Sequence, residues 1–252
     1  MSEIQQKIQH AIALDFGEIF NESIELFKKS WVQGLIIVLL TFALSIPFIA
    51  VIYIPMIAFG ILGESNPNVF EDVAPLIMIV FFVIFILMML FLIVISLGLK
   101  AAFFRILYKF DMNTNEKEDY FFFLRRPYLM KTINLSLAYL GITLLAAILC
   151  YLPLFYVLVP LNLLLVVYAF NPDLTVSNLV KLSFELGNKK WLITFGLIFV
   201  CSFLAQIVGF LMCGVGILVT ASFVSIPLYF IYKKVIGFEP PEYTQIQGNQ
   251  NF

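Results

Sequence analysis

Charge is what this sequence has least of. Of its 252 residues only 12% are Asp, Glu, Lys or Arg, about half the share of an ordinary soluble domain. Four stretches, residues 30–63, 73–99, 132–172 and 191–232, contain none at all. Histidine occurs once, as His10, which leaves nothing to build a His-based metal site or proton relay. The three cysteines, Cys150, Cys201 and Cys213, lie in apolar runs and show neither metal-ligand nor disulfide-framework spacing, so they read as buried thiols. A Gly-rich phosphate loop, a GxSxG sequence and paired carboxylates within an apolar run are all missing. The residues therefore lean away from an enzyme, with no cofactor and no metal, and an interfacial lipid-modifying activity has no residues in its support. Nor is nucleic acid an expected partner.

What fills the space is hydrocarbon. Apolar residues make up 62% of the chain and the mean hydropathy is +1.01, the composition of an all-α integral membrane protein. A bilayer core takes about 20 helical residues, so the uncharged stretch of 27 residues at 73–99 crosses once. Those of 41 and 42 residues at 132–172 and 191–232 must each fold back. Pro153, in CYLP, and the two glycines of CGVG at 213–216 are the natural breaks. The stretch at 30–63 is long for one pass and short for two, and charge settles it. With one pass there, all 15 Lys and Arg residues fall on one side, and the other holds only Glu64, Glu71 and Asp72. That asymmetry predicts six crossings, as three hairpins at about 32–58 and 74–98, 132–150 and 153–171, and 192–212 and 215–233. The extra length of the first is assigned to tilt, an interfacial extension or bending at Pro47 and Pro55. Both termini are expected in the cytoplasm, with residues 1–238 as one membrane domain and a disordered tail at 239–252. The opening segment lacks the basic and compact apolar regions of a signal peptide and is expected to be retained.

One phrase occurs nearly twice. SIELFKKSW at residues 23–31 returns as SFELGNKKW at 183–191, each directly before an uncharged run. Ile12, Phe16, Ile19, Phe20, Ser23 and Phe27 recur at helical spacing beside a stripe of Asp15, Glu18, Glu22 and Glu25, which predicts an amphipathic helix within 1–31 lying at the interface. A second such helix follows NPDLT, where Asp173 or Thr175 can cap it. Glu25 with Lys29, and Glu185 with Lys189, are i,i+4 pairs. Trp31 and Trp191 stand where an indole prefers headgroup depth. These six residues form an interfacial motif that turns a surface helix into a spanning one, and Gly187 offers a bend in the second copy. Asp119 can cap a third, looser unit at FFFLRRPYL, whose Phe121, Phe122 and Phe123 suit an aromatic cluster.

The stretches LGLKAAFFRILYKF, EDYFFFLRR, KLSFELGNKKWLITFGLIF and GVGILVTASFVSIPLYFIYKKVIG resemble poorly characterised bacterial six-helix inner-membrane proteins, related to the membrane domain fused to some glycerophosphodiester phosphodiesterases. The resemblance covers roughly residues 15–237. It implies a six-helix protein of the cell envelope with a connection to lipids, and it carries no catalytic residue across.

Two candidate sites remain. Lys100, Arg105 and Lys109, with Arg125, Arg126 and Lys131, make the central connection basic, which topology control alone explains; of these, Lys100, Arg105, Arg125 and Arg126 are candidate contacts for anionic lipid. Asn162 and Gln206 are the polar residues within crossings, where a small-solute or lipid transporter would place its site; helix-to-helix hydrogen bonding is their commoner use. The expected role is that of an accessory or lipid-associated envelope protein. Its partners would be membrane lipids and a membrane protein or a second copy of itself.

Overall fold

The computed structural model describes residues 2–65, 67–114, 117–149, 152–212 and 214–238. Cys150, Cys213 and the tail at 239–252 lie outside them, as do the side chains of Glu64, Glu71 and Asp72. The described residues are overwhelmingly helical, and among them six helical spans are long and apolar enough to cross a membrane. It is an all-α multi-pass membrane protein. The helices are α1 (Ser2–Gln9), α2 (Phe16–Ser65), α3 (Pro67–Asp111), α4 (Leu129–Ile148), α5 (Leu152–Phe170), α6 (Val176–Lys189), α7 (Trp191–Leu211), α8 (Val215–Thr220) and α9 (Ile226–Val235). A 3-10 segment, Ala221–Ser225, joins α8 to α9 within one apolar span.

Both expected reversals occur. Helix α4 stops at Ile148 and α5 starts at Leu152, one residue before Pro153. Between α7 and α8 the turn is made at Gly214, whose φ of +84° is open to glycine at no steric cost. The helices of the first hairpin are longer than the expected spans of 32–58 and 74–98. Helix α2 runs unbroken for 50 residues, through Pro47 and Pro55, and α3 for 45, lengths of about 75 and 67 Å at 1.5 Å per residue. The amphipathic segment at 16–30 is thus the first part of a spanning helix, and only α1 is separate from it. Asp15 makes the start of α2, accepting the Glu18 N–H at 2.7 Å, the ordinary capping geometry.

Burial divides the bundle by function of surface. In the most apolar windows of α2, α3, α4 and α7 only 11% to 28% of residues are buried, against 61% in α5 and in the α8–α9 span. Phe42, Ile46, Leu87, Leu144, Phe199 and Phe210 are among many exposed apolar side chains, a surface that belongs in hydrocarbon. Helix α5 is apolar for another reason: protein encloses it, with Val159, Leu163, Leu164, Val166, Val167 and Tyr168 at 0% exposure. Hydropathy alone does not separate these two uses, since a helix apolar all round can be buried in either medium.

Helix α6 turns back along α5. Leu179, Leu182, Ser183 and Leu186 are its buried stripe, Thr175 caps it by accepting the Asn178 N–H at 3.4 Å, and its end meets the start of α5. The bend foreseen at Gly187 is absent, because that residue lies inside α6, and the break comes at Lys190. Gly187 instead allows contact: a Cβ there would sit 2.8 Å from Pro160 Cγ and 3.0 Å from Pro160 Cα.

Candidate functional site

The polar contacts gather at one end of the bundle. Lys234 bridges α9 to α2 through Glu18 at 2.9 Å and Glu22 at 3.1 Å. Asp111, at the end of α3, accepts from Lys233 and from the Tyr229 hydroxyl, each at 2.6 Å. Gln33 of α2 donates to Glu118 at 2.9 Å, and Lys131 donates to the Pro172 carbonyl. Tyr120 also bonds Glu118; burial, with that carboxylate beside it, pushes its hydroxyl pKa well above the ordinary value. Thr132 ties α4 to its neighbours, bonding the Phe123 carbonyl and the Tyr168 hydroxyl at 2.8 Å each.

At this end the ends of α3, α5 and α9 leave a cavity of about 330 Å³, lined also by Ile4 and Lys7 of α1. Its cations are Lys7, Arg105 and Lys109. The last two stand on one face of α3, four residues apart. Tyr108, Phe170 and Phe238 form the aromatic wall, with Phe238 centred 4.7 Å from Tyr108 and 4.6 Å from Phe170. Asn171 donates to the Tyr232 hydroxyl at 2.8 Å in the same lining. No carboxylate appears among the described lining residues.

The cations are positioned rather than loose. The Arg105 guanidinium lies 4.0 Å from the centroid of Phe122, which itself stacks on Tyr128 at 4.9 Å. Lys109 donates to the Lys117 carbonyl at 2.6 Å, and Lys7 is 2.9 Å from Glu3. The nearest acid along α3, Asp111, is already engaged by Lys233 and Tyr229. Such a cavity attracts an anion through charge and N–H donors, and its aromatic wall suits an apolar stem. Among its described lining residues no nucleophile is paired with a base.

Of the four basic residues singled out in the sequence, only Arg105 lines the cavity. Lys100 is exposed, and five residues along a helix place it about 140° round from Arg105. Arg125 reaches Asp119 at 3.4 Å and Arg126 is exposed. Sequence reasoning missed Lys7 and Asn171, and placed Lys109 in the basic connection without singling it out as a lipid contact. The i,i+4 spacing of Arg105 and Lys109 was there to find; Lys7 arrives only through the docking of α1 on α6.

Asn162 donates to the Leu158 carbonyl of its own helix at 2.8 Å. Gln206 is exposed and borders a separate space of about 200 Å³ with Ser202 and Thr220. The two are not brought into one site. Among the described residues no group of His, Cys, Asp or Glu is placed to hold a metal ion, and Cys201 is buried.

The repeated phrase divides into core and surface positions. Ser23 and Ser183 are fully buried and donate to the Ile19 and Val180 carbonyls at 2.7 Å each, while Leu26 and Leu186 enter the core. The surface positions diverge. Glu25 pairs with Lys28 at 2.6 Å rather than with Lys29, which is exposed. Glu185 accepts from Gln5 at 2.8 Å and Lys189 donates to the Gln9 carbonyl, so this expected pair serves α1 instead. Trp31 is exposed, whereas Trp191 donates to the Tyr156 carbonyl at 3.1 Å and stacks on Phe195 at 4.8 Å. Lys190, beside the second copy, is buried; burial and the neighbouring Lys189 push its pKa below the ordinary lysine value.

No family model, curated protein or solved structure matches the chain, so the functional reading rests on its own geometry.

Proposed function

We propose that this chain is a non-catalytic, lipid-associated protein of the bacterial cytoplasmic membrane that holds the headgroup of an anionic lipid in the cavity at its charged end. One observation carries the reading: Lys7, Arg105 and Lys109 line one aromatic-walled space whose described lining holds no carboxylate. The sidedness follows from the positive-inside tendency. All 15 basic residues fall in the segments assigned to one face, and anionic lipid at the cytoplasmic leaflet attracts such segments. The same arrangement keeps both termini cytoplasmic and fits an accessory role beside another membrane protein. The resemblance to envelope proteins with a lipid connection agrees with it.

The test is lipid retention. The full chain is reconstituted in nanodiscs of phosphatidylcholine with a minor fraction of phosphatidate, then released and weighed by native mass spectrometry. The Arg105→Gln/Lys109→Gln pair is expected to retain several-fold less phosphatidate than the unsubstituted chain. The Arg125→Gln/Arg126→Gln pair removes the same charge outside the cavity and should retain nearly as much. Equal retention in both variants would show that net charge, not the cavity, recruits the lipid.

A further inference from the structure

Resting on that reading of the cavity, we propose that α1 is its detachable wall: docking of α1 on α6 and occupation of the cavity by a phosphate-bearing group are one coupled equilibrium, and α1 carries Lys7 into contact with the anion. Helix α1 has eight residues, too few to persist as an isolated helix in water, so its helical state depends on what it leans on. Its attachments are few: Ile4 and Ile8 pack against the core, with a set of hydrogen bonds beside them. Ile8 is 2% exposed. Gln5 donates to both oxygens of Glu185, at 2.8 and 3.1 Å. Lys189 donates to the Gln9 carbonyl, and Lys190 to those of Ala11 and Ile12 at 3.3 and 2.5 Å. Residues 11–15, which lead to α2, are irregular, with Ala11 and Leu14 against the core and the Ile12 side chain 78% exposed.

This geometry gives two states. With α1 docked, Ile4 and Lys7 line the cavity together with Arg105 and Lys109. With α1 released, the two α3 cations remain and the third leaves with the helix. An anion bound between them favours the docked state, and coupling is reciprocal: the factor by which the anion strengthens docking equals the factor by which docking strengthens anion binding. The α6 residues that grip α1 therefore act as positioning residues without touching the ligand.

The experiment uses the full chain in nanodiscs of phosphatidylcholine alone or with phosphatidate, reading backbone hydrogen exchange of residues 3–9 alongside retained lipid. Phosphatidate is expected to slow α1 exchange about fivefold or more, within the usual range of such coupling. Gln5→Ala and Lys190→Met should both speed α1 exchange and lower phosphatidate affinity. The Gln5 variant alters only α1, so it remains informative if Lys190→Met misfolds. Unchanged α1 exchange in discs where the unsubstituted chain retains phosphatidate and Arg105→Gln/Lys109→Gln does not would overturn the coupling and leave the anion site standing. Loss of retention in neither Arg105→Gln/Lys109→Gln nor the α1 variants would overturn the anion site itself. Inorganic phosphate, added to phosphatidylcholine discs, separates the sources of the group: protection equal to that from phosphatidate supports the coupling and overturns the lipid assignment.

Discussion

A single methyl group at position 187 tests the packing of α6 on α5. Gly187→Ala adds a Cβ that would lie 2.8 Å from Pro160 Cγ, 3.2 Å from its Cβ and 3.0 Å from its Cα. The last is a backbone atom in the middle of a buried helix, so the ring cannot simply swing aside and α6 must move off α5. Overpacking of this kind costs about 1–3 kcal/mol, while Ala is favoured over Gly in a helix interior by about 1 kcal/mol. Gly141→Ala in α4 isolates the first effect, because nothing lies within 4 Å of its added Cβ and the propensity gain is the same. The two variants should therefore differ by about 1–3 kcal/mol, with Gly187→Ala the less stable. For a chain of this size about 2–4 °C of melting temperature corresponds to each kcal/mol, so a gap of roughly 2–12 °C is expected in detergent. Adding Pro160→Ala to Gly187→Ala removes the Cγ contact and leaves the Cα one, so it should recover part of the loss and not all of it. If Gly187→Ala melted at or above Gly141→Ala, the close approach of the two helices would be refuted.

Two further outcomes follow from the charged end. Lys233→Met leaves Asp111 with Tyr229 alone in a site where the carboxylate is 17% exposed; hydrogen bonds to charged groups carry about 1.5–3 kcal/mol, and thermal melting should show a loss of that order, smaller for Asp111→Asn, which still accepts from Tyr229. Single cysteines at Arg125 and Lys189, both exposed, placed in a chain lacking its other cysteines, should react with a membrane-impermeant maleimide from the same compartment; reaction from opposite compartments would break the one-sided arrangement and the cytoplasmic assignment with it.

The class of the molecule was legible because the scarcity of charge is a physical requirement of hydrocarbon, and the positions of the breaks were legible because proline and glycine act locally. Pro153 and Gly214 need no distant partner to end a helix. The continuity of α2 was harder to read, since proline at 47 and 55 is compatible with a straight spanning helix as well as with a bent one. The candidate site was half visible. Arg105 and Lys109 announce a basic face by spacing alone, but Lys100 joins them in sequence and not in space, and Lys7 joins them in space and not in sequence. Its placement depends on Glu185, Lys189 and Lys190, some 180 residues away along the chain.

The repeated phrase shows why near-identical segments came to different ends. Its buried positions, Ser23 with Leu26 and Ser183 with Leu186, impose the same amphipathic helix in both copies, each serine satisfied by its own backbone. The divergent position decides what each helix can approach. Phe27 packs on the core residue Phe223 with ring centroids 5.3 Å apart, and α2 continues without a break into the span. Gly187, at the equivalent place, has no side chain to hold Pro160 away, so α6 settles onto α5 along its length and must stop before α7 can begin. That closer packing brings Glu185, Lys189 and Lys190 to where α1 passes, and α1 in turn supplies Lys7 to the cavity. Exchanging the two residues at this one position would be expected to undo the chain of contacts from its first link, by parting α6 from α5 before any charged residue is touched.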